Sequence, residues 1–174
     1  VMISEGAVHF ALRNDGQGGG RARVYDTPGL NSLQAASEDE AVARDLLLGL
    51  DDRRDATSGR VVLQVGDAKN LIRVLMLTLE LAEAGVPLVL NLNMWDEARE
   101  RRIAIDADRL SERLGLPVVP TIATERWGLD RLRRAIGQAR PAAIRARYPA
   151  LIEEAAARIE RVLPEATPAR RALA

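Results

Sequence analysis

The 174-residue chain contains no cysteine. A disulfide framework and a thiolate metal site are therefore excluded, and the composition fits a reducing cytosol. There is one histidine, His9, and one lysine, Lys69, against 24 arginines. A phosphate-cradling loop of the form G-x-x-x-x-G-K-[ST] needs a lysine beside the outer phosphates. Lys69 stands instead in Gly66-Asp67-Ala68-Lys69-Asn70, so the sequence holds no such loop. No apolar run approaches the roughly 18 residues needed to span a bilayer, and the first residues lack the layout of a signal peptide; the segment is expected to be soluble. Neither sign of charge is in excess, with 25 acidic and 25 basic residues. Without a basic field, nucleic acid and anionic membrane surfaces are not expected partners.

What is present is enough apolar material, 47% of residues, for a core. From residue 61 onward, short β-branched runs alternate with helical patterns: strands at 61–65, 87–92 and 117–120, helices at 71–84, 107–114 and 129–139. This rhythm predicts βαβ units, a parallel sheet with helices on both faces and ligands at the carboxyl ends of the strands. Gly85 and Gly115 each follow a helical run, where a left-handed cap is expected.

Before that region, runs at 6–12 and 21–25 flank the glycine-rich stretch 14–20 and predict a hairpin. Ser37-Glu38-Asp39-Glu40 has the spacing of a capping box and predicts a helix over 38–48. Residues 51–59 predict a surface loop. After Pro141 a single amphipathic stretch spans 148–163, ended by Pro164 and Pro168. One helix cannot bury its own apolar stripe, so it packs on the sheet domain or belongs to a further helical unit.

Two short motifs end predicted strands. In Asp26-Thr27-Pro28-Gly29 a D-x-x-G element would use the aspartate to hold Mg²⁺ through a water and the glycine amide to meet a γ-phosphate. Alone, these four residues read more readily as a turn with Pro28 at its second position. In Asn93-Met94-Trp95-Asp96 an N-[KM]-x-D element would use the Asp96 carboxylate to accept from the N1 proton and C2 amine of guanine. Adenine offers neither donor and would leave the carboxylate unpaired, at about 1 to 3 kcal/mol or more. Asn93 would brace neighbouring loops, and Met94 stands where many GTPases have a lysine whose stem lies over the base. Alone, this segment reads equally as a strand-end turn. Order and spacing in combination favour a GTPase, and Ile122, Ala123 and Thr124 stand where a third loop closes over the base.

These residues resemble the G domain of FeoB-type bacterial ferrous iron transporters. The matching blocks are Asp26 through Leu33, Ser37 through Glu40 with Arg44-Asp45, Asp67-Ala68-Lys69-Asn70-Leu71, Leu90 through Ala98, and Ile105-Asp106 through Leu114-Gly115. The methionine of N-M-x-D is usual in that family. The resemblance implies a Ras-like P-loop GTPase sheet over residues 1–140 that lacks its first, central strand, followed over 141–174 by the beginning of a helical regulatory domain. It implies GTP or GDP with Mg²⁺ at Asp26, Thr27, Pro28, Gly29, Asn93, Met94, Asp96, Ile122, Ala123 and Thr124. In the full-length protein, GTP binding and hydrolysis would regulate Fe²⁺ uptake at the cytoplasmic face of the bacterial inner membrane. The partner would be the membrane channel region of the same transporter, and a homo-oligomer would form through the full-length protein.

The chain departs from the family by starting after the phosphate loop and first switch. The absent strand would lie between the 21–25 and 61–65 strands, so bared ladder groups are expected to weaken the domain. Hydrolysis in the family is slow and assisted by K⁺ through a phosphate-loop asparagine absent here. Leu30 occupies the position of the water-orienting glutamine of Ras-like enzymes, so no catalytic residue is named. His9 reads as structural, and no His, Asp and Glu cluster has metal-ligand spacing for iron. Two alternatives stay open: a GTPase-shaped module that does not hydrolyse and acts through protein contacts along 32–48, and a non-nucleotide α/β domain in which both motifs are turns.

Overall fold

A computed structural model describes residues 4–9, 21–30, 32–34, 37–48, 61–144 and 147–163. The glycine-rich turn, the 51–59 loop and the two terminal prolines lie outside these residues. The hairpin forms as β1 (Ser4–His9) and β2 (Arg21–Asp26), antiparallel, with Ser4 opposite Asp26 and His9 opposite Arg21. The first strand begins two residues before the expected 6–12 run, because its pairing continues back to Asp26. α1 (Glu38–Leu48) begins where the capping box placed it, the Glu40 amide donating to Ser37 Oγ at 3.2 Å.

The main sheet is built from β3 (Val62–Asp67), β4 (Pro87–Asn93) and β5 (Val118–Pro120), parallel in that order. The two-residue β6 (Arg140–Pro141) pairs antiparallel with the start of β4. The intervening helices are α2 (Leu71–Glu83), α3 (Trp95–Glu100), α4 (Ala107–Leu114) and α5 (Leu129–Ile136), and α6 (Ala150–Val162) closes the described chain. β4 is the central strand: five consecutive residues, Leu88 to Leu92, are buried, as in a parallel strand covered on both faces. Alternation then divides the core. Leu88, Leu90 and Leu92 pack with Val74, Leu77 and Leu81 of α2 and Leu114 of α4, whereas Val89 packs with Val119, Leu132 and Ala135 on the α5 side.

Helices therefore cover both faces of the sheet, as expected, and α2 is locked to β3 by polar pins as well as packing. Buried Gln64 donates from Nε2 to the Val74 carbonyl at 2.8 Å, and its Oε1 accepts from Thr78 Oγ1 at 2.8 Å. Gly66 permits the close approach; a Cβ there would lie 2.5 Å from Val74 Cγ1. Asp106 caps α4 by accepting from the Arg109 amide at 2.9 Å, and α4 ends at Gly115 with φ of 65°. Gly85 likewise has φ of 70°. Both turns take the left-handed conformation that favours glycine.

One edge of the sheet carries no further strand among the described residues. β3 pairs with β4 and with no other strand among the described residues, and the β1–β2 hairpin forms a separate sheet. α5 packs on β4 and β5, and on the alternate face of β3 Leu63 and Val65 are 38% and 61% exposed. On α2, Ile72, Met76 and Leu79 form an exposed apolar stripe. The strand that the sequence reading expects to be absent would have flanked β3 on this edge. No described helix is long and apolar enough to cross a membrane.

Candidate functional site

The carboxyl ends of β4 and β5 carry a connected polar network. In β4 the asparagines alternate with leucines, so Asn91 and Asn93 share the face opposite Leu90 and Leu92. Asn91 Nδ2 donates to the Val119 carbonyl at 3.0 Å and to Thr121 Oγ1 at 2.8 Å. Thr121 Oγ1 donates onward to Asn93 Oδ1 at 3.1 Å, and the same oxygen accepts from the Ala123 amide at 3.1 Å. Thr121 is only 1% exposed, and its backbone joins the network too. Its amide donates to Leu92 O at 2.9 Å and its carbonyl accepts from the Trp95 amide at 3.2 Å. Asn93 thus braces the neighbouring loop through its side-chain oxygen.

The chain leaves β4 through Met94, which has φ of 58°. A non-glycine residue in this region costs on the order of 1 kcal/mol or more and is kept where the surroundings over-determine it. The left-handed residue turns the backbone directly into α3, a helix that the sequence pattern does not predict. Six residues are too few to show a helical period. Asp96 lies in the first turn of α3, half-buried, and its carboxylate makes no hydrogen bond or ion pair with any described residue. Opposite it, residues 122–127 close on themselves, with Ile122 and Trp127 exchanging backbone bonds of 3.1 and 3.2 Å around a short 3-10 turn, Ala123–Glu125. Gly128, at φ of 83°, ends this loop, and a Cβ there would sit 2.4 Å from the Pro120 carbonyl. Ala123 and Thr124 are exposed, and Ile122 is half-buried.

Asp26 closes β2 as an exposed residue without a side-chain partner among the described residues; Thr27 and Pro28 are half-buried and Gly29 exposed. The loop that follows is tied to the main domain. Leu30 and Leu33 pack against the core, and the Glu80 carboxylate of α2 accepts from Ser32 Oγ at 3.0 Å and from the Leu33 amide. No hydrogen bond or ion pair joins Asp26–Gly29 directly to Asn93–Asp96 among the described residues. The structure therefore brings together Asn93, Met94, Asp96, Ile122, Ala123 and Thr124, and connects the D-T-P-G segment to them through the core and α2.

Asn91 and Thr121 are the site residues that motif matching misses. The signal for Asn91 is in the sequence, since a polar residue interrupting the apolar run of a central strand needs a partner. Nothing local marks Thr121.

A model of the family described as ferrous iron transport protein B matches residues 12–136. The chain belongs to this family. Over 117 residues it is 41% identical to the Fe(2+) transporter FeoB of Salmonella typhimurium and 39% identical to that of Escherichia coli K12. The matched stretch is 65% of this chain but only 14% of either transporter. Among solved structures, the NFeoB domain of S. thermophilus bound to GDP, tetrafluoroaluminate and K⁺ superposes with a TM-score of 0.71 at 35% identity, covering 86% of this chain and 57% of that one. The cytosolic domain of L. pneumophila FeoB gives 0.79 at 27% identity, covering 97% and 64%. The sheet with helices on both faces is accordingly the Ras-like G-domain fold of FeoB proteins. The solved relatives include S. thermophilus domains bound to GDP and to the GTP analogue GMPPNP.

Proposed function

We propose that this chain is the guanine-nucleotide-binding domain of a bacterial ferrous iron transporter, and that its nucleotide state regulates Fe²⁺ uptake through the membrane region of the same protein. The observation that carries this is the network at Asn93, which holds two strand-end loops together while leaving the Asp96 carboxylate half-buried and unengaged. A carboxylate so placed has both oxygens free for the N1 and C2 donors of guanine. Met94, Ile122, Ala123 and Thr124 would flank the base. Residues 141–174 are read as the first part of the helical region leading to the channel.

Gly29 and Asp26 fit the phosphate side. Gly29 lacks the positive φ that demands glycine, and a Cβ there would meet no atom within 4 Å. The protein's own packing does not require the glycine, whereas a phosphate approaching its amide would. Asp26, exposed and unpaired among the described residues, would hold Mg²⁺ through a water, with Thr27 and Pro28 shaping the turn. Mg²⁺ supplies charge neutralisation at the phosphates. K⁺, present in the S. thermophilus complex, would act at the phosphate loop. No residue of this chain is assigned to hydrolysis.

Base recognition is testable on this chain with nucleoside monophosphates, because it does not depend on the outer phosphates. Trp95 and Trp127, the two tryptophans, flank the site, so their indole N–H signals report binding. GMP is expected to bind in the millimolar range, worth about 4 kcal/mol, and at least tenfold more tightly than AMP. Asp96→Asn should erase that preference, since a hydrogen bond to a charged acceptor contributes about 1.5 to 3 kcal/mol. Equal binding of the two nucleotides by the unmodified chain would remove the assignment.

A further inference from the structure

Lys69 is the chain's only lysine, and its half-buried side chain is 12% exposed. A lysine stem covered to this degree commonly accompanies an engaged ammonium. It lies in the 3-10 turn Ala68–Asn70 that follows β3, a turn fixed by Asp67. One Asp67 carboxylate oxygen accepts from the Lys69 amide and the other from Asn70 Nδ2, both at 2.9 Å. With its base anchored, the side chain reaches across to α3. Nζ lies 2.5 Å from Glu97 Oε2, 3.4 Å from Met94 Sδ and 3.6 Å from Asp67 Oδ1. Hydrogen bonding to Glu97, together with the nearby Asp67 charge, raises the lysine pKa above its ordinary value.

We propose that Lys69 is a positioning residue for base recognition: it grips Met94 and Glu97, on either side of Asp96, and so sets the place from which the Asp96 carboxylate meets the guanine edge. The inference rests on the proposed role of Asp96. Its logic is geometric. The Asp96 side chain has no partner of its own among the described residues, so its location is inherited from the backbone of 94–97. Within α3 that backbone is held by the Ala98 amide on Met94 O and the Arg101 amide on Glu97 O, and by burial of Ala98; three polar ties reach it from other elements: the Asn93 oxygen on the Ala123 amide, the Trp95 amide on Thr121 O, and Lys69. The first two hold the entrance to the turn, whereas Lys69 alone of the three reaches beyond Asp96. Met94 occupies the position at which many GTPases carry a lysine, and here an ammonium reaches the same residue from a different element.

An ordinary surface ion pair would affect stability slightly and base selectivity not at all. The test therefore compares GMP with IMP, whose hypoxanthine keeps the N1 proton and lacks only the C2 amine, so their affinity ratio reads the second hydrogen bond to Asp96. The unmodified chain is expected to prefer GMP by roughly tenfold, a single hydrogen bond to a charged acceptor. Lys69→Met, close in size but uncharged, should bring the ratio within about threefold of unity. Glu97→Gln should do so in part, and Lys69→Arg should restore some of the preference, its guanidinium reaching Glu97 with different geometry. A second readout needs no ligand. Exchange of the Ala98 amide, bonded to Met94 O at 3.2 Å, should accelerate about tenfold in Lys69→Met while that of Leu90 stays unchanged. A variant that keeps the full GMP preference overturns the proposal even if the exchange rate rises, since Lys69 would then be structural only. An unmodified chain that fails to prefer GMP to AMP overturns the Asp96 assignment itself, and the positioning role with it.

Discussion

Replacing Asn93 by alanine is the sharpest structural test of the strand-end network. The side-chain oxygen accepts from Thr121 Oγ1 and the Ala123 amide, both at 3.1 Å. The amide is at the surface and can turn to water, so its loss costs about 1 kcal/mol or less. The hydroxyl cannot, because Thr121 is 1% exposed, and a buried donor stripped of its acceptor costs a further 1 to 3 kcal/mol or so. The total is about 1 to 4 kcal/mol. With a urea dependence of roughly 1 to 3 kcal/mol/M, Asn93→Ala should lower the unfolding midpoint by about 1 M. Asn93→Asp keeps an acceptor at the same position and should stay within about 1 kcal/mol of the unmodified chain. Thr121→Val removes the donor instead, so combining it with Asn93→Ala should cost less than the sum of the two changes. An Asn93→Ala chain within about 0.5 kcal/mol of the original, the level of an ordinary surface change, together with strictly additive behaviour, would refute the account of this oxygen as the brace between the loops.

Two further outcomes follow from other contacts. Gly66→Ala places a methyl 2.5 Å from Val74 Cγ1 and should destabilise by about 1 to 3 kcal/mol; adding Val74→Ala should relieve part of that loss, and additive midpoints in urea would contradict close packing there. Because the Lys69 pKa is raised in the folded state above its ordinary 10.5, its stabilising effect is fully present below that pH and is lost as pH rises through the folded value. The stability difference between the unmodified chain and Lys69→Met should therefore be flat from pH 7 to about 10 and shrink above it, which unfolding curves over that range will show.

Much of the domain was legible because its elements obey local rules. α1 and α4 start at side chains that cap them, Ser37 and Asp106, and α4 stops at a glycine free to turn left-handed. β4 is recognisable as a strand from its apolar residues Leu88, Val89, Leu90 and Leu92, whereas its middle place in the described sheet is not marked in the sequence. The two motifs were likewise legible, because D-x-x-G and N-[KM]-x-D are short patterns whose chemistry depends on spacing within four residues. α3 was not legible, since its direction is set by a left-handed methionine rather than by any apolar period. The two-residue β6 left no pattern at all.

The order of strands and helices, the capped ends and the place of the N-[KM]-x-D segment at a strand end were thus determined by the sequence itself, through interactions between residues a few positions apart. Tertiary structure alone decided which distant groups complete the site. Thr121 joins Asn93 across 28 positions and Lys69 joins Glu97 across 28, while Glu80 anchors Leu33 across 47. Such partners carry no local signature, because a hydrogen bond between remote segments depends on where the sheet brings the ends of β3, β4 and β5, and that follows from burial of the whole core.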